Sequence, residues 1–475
     1  MATDLQELRT EVRWLGGILG QVIANLDGPD SLELEETVRR LAKERRQGMV
    51  ESGTKLEQVL GGLSIDECWL ICRAFTLFFD LANLAEDRQR VRTLKSRQQQ
   101  GRIRGESLAA AIASFAERGF TQQQLQERLT RLRLEPVFTA HPTEAKRRAV
   151  RGHLQRLRRW LHRSDRGQNV ESSVREIIET LWHTDLLRPR KPTVLEEVDR
   201  GLATVRKLWS VVPRLHRDLN EALAKYYPDP EVPFEIPAFV QFGTWMGGDR
   251  DGNPFVTSDT TAQTLRHFRK AALRLHLRQA SRCFGRLTQS EVRVHASPEL
   301  KQRVQEALWQ WPALTRLLEP FSAFEVPRRW LRIVRWRLSQ SLRQVRQGGA
   351  IPGAYRNGQE LLQDLNLLRR SLAPQECRRL DDWCVQTATF GFFLARLDIR
   401  QESTLYHRVI GQLLQEPGYE AMSEDDKIAF LQTHKPQSSK SLDLVAQEAA
   451  SLFRLLSWYQ ESYGGEQLGC HILSM

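Results

Sequence analysis

Leu134-Glu-Pro-Val-Phe-Thr-Ala-His-Pro-Thr-Glu-Ala-Lys-Arg-Arg148 is the stretch on which the fold of this chain turns. A short apolar, β-branched run ends in His141, and Pro142 then opens a segment dense in basic residues. Proline fits the first helical position, because its φ is fixed and its missing N–H would have no partner there. The pattern predicts a strand-to-helix junction at His141, beside a helix N-terminus that favours anions. Histidine is the side chain that exchanges protons near neutrality. A proton-transfer group beside an anion cradle reads as an active site, while a histidine capping a turn is the structural alternative. His141 and Glu144 stand at helical spacing and could in principle share a metal.

Outward from this segment the sequence is overwhelmingly helical. Leu5, Leu8, Val12, Leu15, Leu19, Val22 and Leu26 recur at spacings of three and four, one apolar helix face, until Gly28-Pro29-Asp30 breaks it. Similar patterns predict helices over 35–47, 65–90, 107–132, 145–164, 172–187 and 196–225. Residues 226–233, 347–353 and 434–439 read as linkers. Strand-like segments stand out at 135–140, 238–245, 392–400 and from His471 to the end. Long helices separate them, which suits parallel strands joined by helical crossovers, as in a barrel with large helical insertions.

With 475 residues the chain fills roughly three average domains or one large barrel with additions. A net charge of +12 points to anionic partners. The basic residues nevertheless alternate with aliphatics along helix faces, with no ribonucleoprotein or zinc-finger pattern, so nucleic acid is not expected. Cys68 and Cys72 sit one turn apart among apolar residues, and Cys377 and Cys384 are too loosely spaced for a ribbon-type metal site. Free thiols and a reducing, cytoplasmic setting are expected. The most apolar segment, 68–84, is interrupted by Arg73 and Asp80, so no membrane span is expected.

Two further constellations lie at predicted strand ends. Gly243-Thr-Trp-Met-Gly-Gly-Asp-Arg-Asp-Gly-Asn-Pro254 lacks the Gly-Lys-Ser/Thr of a phosphate loop and the closing glutamate of a calcium loop. It is either a tight turn held by an ion pair within Asp249, Arg250 and Asp251, or a glycine-rich loop that lets a ligand approach the backbone. Leu397-Asp-Ile-Arg-Gln-Glu-Ser403 places Asp398 and Arg400 on one strand face and Leu397 and Ile399 on the other. The charged face is either solvated or turned to a barrel interior, where it must be paired or liganded.

Together, Val137-Phe-Thr-Ala-His-Pro-Thr-Glu-Ala-Lys-Arg-Arg148, the 242–254 block and Leu397–Ser403 resemble, in order, three blocks of the phosphoenolpyruvate carboxylase family. Leu181-Trp-His-Thr-Asp185 and the helical opening are similar to it as well. The resemblance implies a TIM-like β/α barrel with large helical insertions, of which residues 1–475 carry about half. In that reading 1–132 is an N-terminal helical region and 133–475 holds the first barrel strands with their insertions.

It implies the reaction too: phosphoenolpyruvate and bicarbonate give oxaloacetate and phosphate with Mg²⁺ or Mn²⁺, a carbon dioxide-fixing lyase that feeds the tricarboxylic acid cycle. His141 then matches the general base, Arg400 a ligand of the substrate phosphate, and Trp245 a wall of the carbon dioxide pocket. Arg250 falls in the adjoining substrate loop. The family is typically a homotetramer. Its acidic metal ligands match no segment here, so no metal ligand is assigned in this chain. The expectation is the N-terminal part of a carboxylase that does not turn over alone; the alternative is a non-catalytic fragment or assembly partner.

Overall fold

The computed structural model describes residues 2–101, 103–139, 146–188, 190–228, 232–293, 296–372, 374–435 and 442–474. His141 and Glu144 lie outside the described residues, as does the expected helix start at Pro142.

In chain order the first helices are α1 (Ala2–Asp27), α2 (Pro29–Arg46), α3 (Val50–Gly61) and α4 (Ile65–Gln99). The break at Gly28 is as expected, with φ +92 before a proline in the first turn of α2. α4 opens on a capping box in which Ser64 and Glu67 satisfy each other's backbone N–H. By length and composition α4 is long enough to cross a membrane. Within its own unit, Leu77, Leu81, Leu84 and Ala85 are buried against Leu15, Leu19 and Val22 of α1.

The helix predicted over 107–132 is two helices, α5 (Leu108–Glu117) and α6 (Gln122–Thr130). Gly119 at φ +72 turns the chain between them, and Thr121 caps α6. The helix predicted from 145 starts later, as α7 (Arg148–Ser164). Lys146 is bridged antiparallel to Leu187, and the Arg147 N–H donates to Leu186 O, so these two residues stay extended. α8 (Glu171–Trp182) follows, and the span predicted over 196–225 divides into α9 (Val194–Leu208) and α10 (Val212–Tyr226). Pro213 in the first turn of α10 explains the restart, because proline cannot continue a preceding helix.

Beyond them come α11 (Ser258–Phe284), α12 (Pro298–Gln310), α13 (Ala313–Leu318), α14 (Val326–Gln347), α15 (Gly358–Arg370) and α16 (Pro374–Phe390). The last helices are α17 (Ser403–Leu414), α18 (Glu424–Thr433) and α19 (Leu444–Tyr463).

Against these helices stands a parallel sheet of four described strands in the order β1 (Val137–Phe138), β2 (Gly243–Thr244), β3 (Arg396–Glu402) and β4 (Leu468–Ser474). Sequence order equals spatial order, so each crossover carries helices. The first two strands are shorter than predicted. β3 starts at Arg396 rather than 392 because Gly391 and Leu394, at φ +44 and +66, put a turn there.

The chain divides into two compact units, residues 1–107 with 142–191 and residues 108–141 with 192–475. In the first, Arg88 is 3% exposed and paired to Glu11 and to Asp165, the latter at 2.8 Å. Arg92 holds the same two carboxylates, so the charge is closed into a network. The second unit contains the sheet and a core that includes Phe242, Phe268, Trp330, Trp383, Phe390 and Phe392. Leu397 and Ile399 of β3 pack against Leu265, Leu452, Tyr459 and Tyr463, the helix-covered side of the sheet.

A candidate anion site at the ends of the parallel strands

Alternation along β3 turns Asp398 and Arg400 away from that apolar side, as the sequence predicts. The loop leaving β2 runs beside them. Its backbone is tied to β3 by two rungs, Arg400 N–H to Gly248 O at 3.0 Å and Arg250 N–H to Arg400 O at 2.9 Å. Glycine is required here. A Cβ on Gly248 would sit 2.1 Å from Asp398 O, and Gly247, at φ +85, would place one 2.1 Å from Thr264 Oγ1.

Asp249, Arg250 and Asp251 do not pair with one another; each turns to a different element. Asp249 Oδ2 accepts from Arg400 Nη1 at 3.4 Å. Arg250 Nη1 donates to Glu448 Oε1 of α19 at 3.1 Å. Asp251 Oδ2 accepts from Ser474 Oγ of β4 at 2.9 Å. The expected internal ion pair is therefore replaced by three ties to other elements. The second carboxylate oxygen of Glu448 accepts from Ser258 Oγ at 3.1 Å, so Glu448 binds the loop and the start of α11 together.

The guanidinium of Arg400 lies 4.1 Å from the centre of the Trp245 ring. This stack and the Asp249 contact fix the plane of the guanidinium fork. Arg400 is half-buried, and its Nε and Nη2 have no partner among the described residues. Asp398 is buried and its carboxylate accepts the Cys470 N–H at 2.8 Å, in space left by Gly469. Burial raises the Asp398 pKa, opposed by that N–H and by Trp245. Burial likewise lowers the pKa of Arg250, with Glu448 opposing.

Of the residues singled out in the sequence, the structure brings together Trp245, Asp249 and Arg400. Arg250 joins them through its backbone, while its side chain is 6% exposed and faces Glu448. Near Arg250, Tyr406 O–H and His471 Nε2 are 2.9 Å apart, and His471 stacks on Phe453. Burial and then Arg250 lower the His471 pKa, while burial pushes Tyr406 up to about 12. Glu448, Tyr406 and His471 escape sequence reading, since Glu448 is 198 residues from Arg250 in an ordinary amphipathic helix.

The family model described as phosphoenolpyruvate carboxylase matches residues 8–475. The chain belongs to the phosphoenolpyruvate carboxylase family. The phosphoenolpyruvate carboxylase of Roseiflexus castenholzii is 32% identical, over 99% of this chain and 54% of that relative. That of Thermus thermophilus is 32% identical over 98% of this chain and 52% of its own length. That of Pseudomonas aeruginosa is 30% identical over 89% and 48%. The chain thus spans about half the length of the curated relatives it matches. Within this family setting Gly248→Ala is expected to displace the loop from β3 and to destabilise the second unit by about 1–3 kcal/mol. Denaturation that leaves the transition unchanged would refute the close approach.

Proposed function

We propose that this chain supplies part of a phosphoenolpyruvate carboxylase site, in a barrel that its parallel strands begin. The reaction is carboxylation of phosphoenolpyruvate by bicarbonate to oxaloacetate and phosphate, an anaplerotic step in the cytoplasm by a homotetramer. Bicarbonate attacks the phosphorus, giving carboxyphosphate and the enolate of pyruvate. A base removes the carboxyphosphate proton, carbon dioxide is released, and the enolate carbon captures it. His141 is the base in this reading, supported by the family match and its motif.

The observation that carries the proposal is Arg400. Its guanidinium is held by Trp245 and Asp249 with two nitrogens free, the arrangement a phosphate group takes up by charge-assisted hydrogen bonds. Trp245, stacked on that cation, walls the space beside it and keeps water from the enolate. Arg250 holds the loop through its Nη1 bond to Glu448, while its buried Nε and Nη2 have no partner among the described residues.

Mg²⁺ or Mn²⁺ in this family supplies charge for the phosphoryl transfer, but the described residues do not fit such an ion. Among them no three His, Cys, Asp or Glu side chains converge. Asp398 and Asp249 each have one oxygen engaged, by Cys470 N–H and by Arg400, and Asp249 Oδ1 has no hydrogen-bond partner among the described residues. No step above is assigned to a metal held by these residues.

Phosphoenolpyruvate titrated into the chain should bind saturably. Arg400→Gln should weaken it about 10- to 100-fold, since hydrogen bonds to charged groups contribute about 1.5–3 kcal/mol. Equal affinity in the variant would remove Arg400 from the site.

A further inference from the structure

A second cleft in the same unit is separate from the strand ends. It has a volume of about 200 Å³ and lies where the end of α14 meets α11 and α19. Arg266, Arg346, Gly348, Trp458, Tyr459 and Tyr463 line it, and among the described residues no aspartate or glutamate does. The wall is aromatic and rigid. Trp458 packs edge-on to Tyr459 and to Tyr463, with ring centres 5.3 and 5.6 Å away. Arg269 closes the Tyr463 ring at 3.8 Å.

Three features of this wall are open to a ligand. The rings of Tyr459 and Tyr463 are buried, at 2% and 7% exposure, while their hydroxyls reach solvent and have no hydrogen-bond partner among the described residues. Arg266 and Arg346 form no ion pair among the described residues, so their positive charge is uncompensated beside the cleft. Trp458 is 45% exposed, an indole at the surface of the cleft.

These features complement one class of ligand. A carboxylate answers both the guanidinium forks and the phenolic donors, because it accepts several hydrogen bonds in one plane. A flat conjugated body suits the aromatic wall, by stacking. The volume admits about one ring with its acid group. Gly348 and Gly349, at φ +76 and +72, let the chain turn tightly after α14 and leave the cleft open beside them. We propose that this cleft binds a small aromatic carboxylate, held by Arg266 and Arg346 and by the Tyr459 hydroxyl against Trp458.

Benzoate is the probe, titrated into the 475-residue chain with isothermal calorimetry and tryptophan emission as readouts. Saturable binding with a dissociation constant on the order of 1 mM is expected for a ligand of this size. The double variant Arg266→Gln, Arg346→Gln alters exposed side chains and should weaken binding at least about tenfold. Tyr459→Phe keeps the ring and should weaken it several-fold. Absence of saturation, or unchanged affinity in the double variant, overturns the site. Inorganic phosphate binding as tightly as benzoate overturns the aromatic specificity. Arg400→Gln should leave benzoate binding intact, which separates this cleft from the strand-end site.

Discussion

Asp364→Ala is expected to remove about 3–5 kcal/mol of unfolding free energy, because it strands a buried arginine. Asp364 of α15 is 4% exposed. Its Oδ2 accepts from Tyr355 Oη at 2.6 Å and from Arg337 Nη1 at 2.9 Å. Arg337 is sandwiched between the rings of Tyr355 and Trp311, at 3.8 and 5.1 Å, so it cannot swing to water without dismantling the core. Removing the carboxylate leaves the guanidinium and the fully buried phenol without their acceptor. Glu360, 3.3 Å from Arg337 Nη2 and partly exposed, compensates only in part. Tyr355→Phe, which deletes one neutral donor, should cost about 1 kcal/mol, and the contrast between the two identifies charge as the cause. Urea denaturation followed by circular dichroism measures both. A loss under about 1 kcal/mol for Asp364→Ala would mean that Arg337 finds another partner.

The second large effect is acid lability seated at His276. This side chain is fully buried. Trp383 Nε1 donates to its Nδ1 at 2.9 Å, so Nδ1 must be unprotonated, and Nε2 donates to Gly391 O at 2.8 Å. Burial lowers its pKa to about 4, with the Gly391 bond opposing. The folded value lies below the unfolded one of about 6.5, so this stability is present above pH 6.5 or so. It is lost as pH falls from there towards 4, because the unfolded chain takes up the proton first. The full separation corresponds to about 3 kcal/mol. His216, packed against Phe239 and also lowered to about 4 by burial, adds in the same direction. His276→Phe should start less stable, with Trp383 N–H unpaired, yet lose about 2.5 kcal/mol less than the parent between pH 7.5 and 4.5. Parallel pH profiles for the two proteins would show that His276 is not the titrating group.

Residues close in sequence were the legible ones. Alternation correctly set Asp398 and Arg400 against Leu397 and Ile399, because one face of β3 is buried and the period of a strand is two. The break at Gly28-Pro29 was equally plain. Helix ends were harder: 107–132 and 196–225 kept their apolar periodicity across Gly119 and across residues 209–211, so the breaks were invisible to periodicity alone. The partners of the loop after β2 were not legible at all. Nothing local distinguishes an internal Asp249–Arg250 pair from ties to Arg400 and Glu448, residues 151 and 198 positions away.

By itself the sequence determined the helical class and the order of four strand segments. Those follow from short-range periods and from motifs whose residues are neighbours along the chain. Only the tertiary structure decided that Arg400 rests on Trp245 and Asp249 while Arg250 turns to Glu448. The physical reason is burial: a guanidinium withdrawn from water takes whichever carboxylate the packing brings near, and packing is settled between elements far apart in sequence. The same holds for the unpartnered hydroxyls of Tyr459 and Tyr463, which look like ordinary amphipathic positions until α11, α14 and α19 close around them.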